Sequence, residues 1–66
     1  MPDRAYIRLM IVTGTLTIAR KYLPQCNWVD DLRWALGKIK GRGQQDQLKR
    51  DCINLRIERI EKEARR

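Results

Sequence analysis

Residues 5–23 read AYIRLMIVTGTLTIARKYL, and whether this stretch forms a helix or a hairpin decides the fold. At about 100° per residue, Ala5, Leu9, Val12, Leu16, Ala19 and Leu23 fall in one narrow stripe, which the periodicity predicts to be a core face. Ile7, Ile11, Ile18 and Tyr22 form a second stripe on nearly the opposite side, with Met10 and Gly14 beside it. A helix that is apolar on two sides needs cover on both, and a second copy of the chain supplies it more easily than two short neighbouring helices. The expectation is a helix over residues 3–23 and a helical homodimer. The competing hairpin rests on the β-branched residues of Ile7–Val12 and Thr15–Ile18 around Thr13-Gly14. Ala5, Ala19 and the unbroken i, i+4, i+7 spacing favour the helix, although Thr13, Gly14, Thr15 and Thr17 weaken it.

Upstream, Pro2 suits a first helical position and Asp3 sets an anion in the first turn, where the helix dipole favours one. Downstream, Pro24-Gln25-Cys26-Asn27 and Gly41-Arg42-Gly43 punctuate the chain and leave two further helices, at about 28–40 and 44–64. Asn27 is the expected N-cap of the second, with Asp30 three residues later. Trp28, Val29, Leu32, Ala35, Leu36 and Ile39 share its core-facing arc, while Trp34 lies opposite, one turn from Asp30 and from Lys38. In the third helix Leu48, Cys52 and Leu55 make one stripe and Ile53, Ile57, Ile60 and Ala64 another, so its apolar face drifts. Pairs at i, i+4 (Asp46 with Arg50, Glu58 with Lys62, Arg59 with Glu63, Glu61 with Arg65) support it as a helix. The chain reads as all-α, three helices in a single small domain over residues 1–66.

A domain of 66 residues buries only about 60% of what its unfolded chain exposes, so a staple or a partner is expected. Cys26 and Cys52 stand far apart, form no CxxC pair and have no histidine to complete a zinc site. They are expected to be reduced, partly buried thiols, with no metal and no cofactor. The most apolar stretch, Leu9–Ala19, is about half the ~20 residues a membrane span needs, and no secretion signal is evident, so a cytoplasmic protein is expected.

Fifteen Lys and Arg against eight Asp and Glu give a net charge of +7. Residues 32–50 hold Arg33, Lys38, Lys40, Arg42, Lys49 and Arg50 against Asp46 alone, a localised basic footprint around the Gly41-Arg42-Gly43 elbow. Glycine amides, the start of the third helix and these cations suit phosphate, whereas the GxxxxGK[ST] spacing of a nucleotide loop is missing. The bland alternative makes Lys38 and Lys40 complements of a helix C-terminus and Gly41 its left-handed cap. Catalysis is not expected: histidine is absent, neither cysteine has a base beside it, and adjacent Asp30 and Asp31 point about 100° apart.

Two functions follow as expectations. The first is nucleic-acid binding through Arg33, Lys38, Lys40, Arg42, Lys49 and Arg50. The second is a small inhibitor or adaptor, of the kind mobile-element genomes encode, that docks on an acidic protein surface. Its interface would use Trp34, the spare stripe of Ile7, Ile11, Ile18 and Tyr22, and the seam of Ile53, Ile57 and Ile60. Neither involves a small-molecule substrate. A purely structural oligomer would consume the same apolar residues in self-association.

Overall fold

The computed structural model describes residues 3–65. Four α-helices follow in order: α1 (Arg4–Thr13), α2 (Leu16–Tyr22), α3 (Val29–Lys38) and α4 (Gln44–Ala64). A single 3-10 turn over Leu23–Gln25 extends α2. No strand occurs among the described residues, so the hairpin alternative for residues 7–18 does not form. The expectation for Pro2 lies outside the described residues.

The expected continuous helix over 3–23 is broken, and four helices replace three. Asp3 is the N-cap rather than a first-turn residue, its carboxylate accepting from the Tyr6 amide at 2.8 Å. The break falls within the threonine-rich stretch. Thr13 turns its hydroxyl back to the Leu9 carbonyl at 2.8 Å, Gly14 and Thr15 are extended, and the Thr15 hydroxyl accepts from the Ile18 amide at 3.3 Å to start α2. Side-chain caps of this kind offer the backbone an alternative to continuing the helix. Gly14 is demanded by closeness, since a Cβ there would lie 2.6 Å from both Ile18 Cγ2 and the Met10 carbonyl oxygen.

Breaking the helix lets the chain re-aim its faces, and the assignment of α1 is the reverse of the periodicity reading. Ile7 and Ile11 are buried in the core, while Ala5 and Leu9 are exposed and Val12 is half-buried. In α2 the expected stripe holds better, with Ala19 and then Leu23 buried. Tyr22 packs edge-on against Tyr6, their rings 5.9 Å apart, and so joins α2 to α1. The apolar surplus that called for a homodimer is thus largely folded inward.

In α3, Leu32 and Ala35 reach the core, followed by Ile39 just after the helix. Trp28, not Asn27, occupies the N-cap position and provides no side-chain bond. The Asn27 side chain is engaged elsewhere, accepting from Arg56 at 2.6 Å. No glycine has a positive φ among the described residues, so Gly41 is not a left-handed cap. Helix α4 spans the expected range and packs on α2, α3 and the 3-10 turn, with Ile53 and Ile57 buried and Ile60 half-buried against the same core.

Polar side chains lock the helices together. Asp31, only 5% exposed, accepts from Arg4 at 2.5 Å and Arg8 at 3.4 Å, tying α3 to α1. The same two arginines lie over indole rings, Arg4 above Trp28 and Arg8 above Trp34, at 4.9 and 4.6 Å from the ring centres. Lys49, also 5% exposed, donates to the Val12 and Gly14 carbonyls at 2.8 Å each and closes the open C-terminus of α1. Arg56 does similar work at the 3-10 turn, donating to the Pro24 and Cys26 carbonyls. No helix among the described residues is long and apolar enough to cross a membrane.

Candidate docking groove

The six cations expected to bind nucleic acid do not act as one surface cluster. Lys49 is turned inward on α1, and burial pulls its amine below the ordinary lysine value despite the opposing field of Asp46. Arg50 closes the end of α3, donating to the Ile39 and Gly41 carbonyls at 3.0 and 2.7 Å and to Gln47. Arg33 stands 3.7 Å from Glu61, and the Lys38 amine lies 5.6 Å from the centre of the Trp34 ring. Lys40 and Arg42 remain exposed at the elbow. There the Asp46 carboxylate packs against Gly41, in space a side chain would need, and sets a negative charge where an incoming phosphate would approach.

The expected protein-contact residues are also divided. Ile7, Ile11, Ile53 and Ile57 pack inside the domain, and Tyr22 and Ile60 are half-buried beside them. Ile18 and Trp34 stay at the surface, each 37% exposed. The Trp34 ring is shared between Arg8 and Lys38, which cover part of the face that a ligand would stack on. None of the i, i+4 pairs expected along α4 closes to an ion pair within 4 Å among the described residues; Glu61 turns instead to Arg33.

A concave surface opens instead between α4 and the α2–3-10 segment, with a volume of about 540 Å³. Four apolar side chains line it, the buried Leu23 and half-buried Cys52 forming the floor and the exposed Pro24 and Leu55 its sides. Leu55 is 64% exposed, the most exposed of the large apolar side chains. Leucine this open is ordinary when single, but here it lies in a depression together with three other apolar side chains. The position of the floor follows from α4 carrying two stripes. Ile53, Ile57 and Ile60 turn to the core, so Cys52 and Leu55, about 100° and 160° round the helix, are left outside it and line the groove.

The rim is basic. Arg20 stands on the α2 side, and Arg56, Arg59 and Lys62 on the α4 side, against the single carboxylate of Glu58. Arg56 is held at the edge by its bonds to Pro24, Cys26 and Asn27, which fix the turn that walls the groove. Cys26 lies behind that turn, 1% exposed, and burial pushes its thiol up from the ordinary value. Cys52 is half-buried in the floor, and both cysteines are free thiols.

The sequence marks none of these cations for binding, and Arg59 and Lys62 are expected there only as intrahelical partners of Glu63 and Glu58. The available signal was the Leu48, Cys52, Leu55 stripe, a second apolar face on a helix that can turn only one to the core. No group of histidine, cysteine and carboxylate side chains is arranged to hold a metal ion among the described residues. No family model, curated protein or solved structure matches the chain.

Proposed function

We propose that this protein is a non-enzymatic binding module that docks an acidic protein partner in the groove between α2 and α4. The observation that carries this reading is Leu55, 64% exposed beside an apolar depression that Arg20, Arg56, Arg59 and Lys62 also line. Apolar contact would supply the affinity and the rim would steer and orient an acidic surface. The adaptor or inhibitor class expected from the sequence fits this face better than it fits Trp34, whose ring is already shared with two cations.

Retention of partners from a nuclease-treated cell extract tests the reading. The wild type and a Lys40→Glu/Arg42→Glu variant are expected to hold the same partner, and Leu55→Glu to lose it. Undiminished retention by Leu55→Glu ends the proposal.

A second reading, nucleic-acid binding at the elbow, keeps support from the net charge of +7 and from Lys40 and Arg42, which stay exposed there. It predicts the opposite pattern on a fluorescent DNA or RNA oligonucleotide: steep loss of binding with salt, abolition by Lys40→Glu/Arg42→Glu, and indifference to Leu55→Glu.

A further inference from the structure

We propose that the segment seated in the groove is a single acidic amphipathic α-helix of the partner, an inference that rests on the docking reading above. The groove is made by helices on both sides, and the described residues offer no strand edge to which an extended peptide could add by backbone hydrogen bonding. From Cys52 to Lys62 the α4 wall runs about 15 Å, at 1.5 Å per residue, which accommodates three turns of an added helix. Such a helix would complete the packing layer that α2 and α4 leave open, its apolar residues at i, i+3, i+4 and i+7 resting on Leu23, Pro24, Cys52 and Leu55.

Charge decides between occupants. Besides Arg56, which is bonded to the Pro24 and Cys26 carbonyls, Arg20, Arg59 and Lys62 line the groove against the single carboxylate of Glu58, so a second copy laid in by this same face would set cations against cations, a costly arrangement. An acidic helix meets Arg20 on the α2 side and Arg59 and Lys62 on the α4 side, with Arg59 one turn beyond Leu55 on the strip that carries Cys52 and Leu55. Arg59 and Lys62, three residues apart, are neighbours on one face of α4 and give that edge a paired contact. A bilayer would meet the exposed Leu55 and Pro24 but not the half-buried Cys52 and the buried Leu23 between the helices, so a helix laid in the groove covers more of its apolar surface.

Cys52 supplies a direct readout, since its thiol lies in the floor while Cys26 is buried behind the turn. The full-length protein is treated with iodoacetamide in the presence of synthetic peptides of about 18 residues, long enough to form helix. The peptides share a leucine face and carry either glutamates or lysines on the other. A scrambled glutamate peptide and a DNA duplex complete the set. At about ten times its dissociation constant the glutamate helix is expected to slow alkylation of Cys52 about tenfold, by mass action on the free form. The lysine helix and the scrambled peptide should leave the rate unchanged, and Arg59→Glu/Lys62→Glu should remove the protection.

Unreactive Cys26 certifies that each variant remains folded. Equal protection by the lysine helix overturns the inference, as does protection by the duplex or by raised concentration of the chain alone. If the glutamate helix fails to protect Cys52 while Leu55→Glu still loses a nuclease-resistant partner, the docking face stands and the helical occupant falls. Retention of that partner by Leu55→Glu removes both.

Discussion

Asp31 shows how one side chain can be misjudged from its neighbours in sequence. Beside Asp30 it looks like half of an ordinary solvated pair, yet it is 5% exposed and holds two arginines of α1. The hydrogen bond from Arg4 holds its carboxyl below the usual value near 3.8, helped by the charges of Arg4 and Arg8 and opposed by burial. A depressed folded-state value stabilises the fold at pH above the ordinary carboxylate range, and that contribution is lost as pH falls through the folded value. Asp31→Asn is therefore expected to be less stable than the wild type at pH 6, with the gap narrowing toward pH 2. Urea unfolding at several pH values measures it, and an unchanging gap would contradict the role given to this carboxylate. No local pattern announces such a contact, because its partners lie 23 and 27 residues away.

Between elements, the break at Gly14 separates what the sequence made legible from what it did not. Helix α4 was readable because its apolar spacing is dense and Gly43 precedes it, and α3 because two punctuated stretches bound it. The α1–α2 break was hidden by a stripe that runs unbroken from Ala5 to Leu23, even though Thr13, Gly14, Thr15 and Thr17 carried the local signal for it. Apolar periodicity argues for one helix and local propensity for two, and side-chain capping by Thr15 decides for two. Gly14→Ala decides between the two descriptions. In the broken form the added methyl meets Ile18 and a backbone oxygen and should cost about 1–3 kcal/mol. In a continuous helix the same change would stabilise by up to about 1 kcal/mol. Denaturation midpoints of the two proteins give the sign.

For the molecule as a whole, the basic charge that suggested a nucleic-acid footprint is partly structural. Lys49, Arg50 and Arg56 occupy carbonyls at the ends of helices or turns, positions that attract cations because the last carbonyls of a helix lack partners. From sequence alone these three cannot be told from Lys40 and Arg42, since the carbonyls they serve belong to other elements. The groove was illegible for the same reason: its walls come from residues 20–24 and 52–62, and only the packing of α4 decides which apolar stripe is left outside. Lys49→Met tests the weight of one such lock. Two charge-assisted bonds are lost, each worth about 1.5–3 kcal/mol, while the cost of burying an ammonium is relieved. A net global loss of about 1–3 kcal/mol is expected by urea unfolding.

The lock has a bearing on the order of events during synthesis. The Lys49 amine that completes the junction after α1 is separated from Gly14 by 35 residues. A ribosome must therefore add at least 35 further residues before that junction can close. Until α4 emerges, α1 has only α2, the 3-10 turn and α3 to pack against, and the nascent chain keeps the carbonyls at that junction open to water.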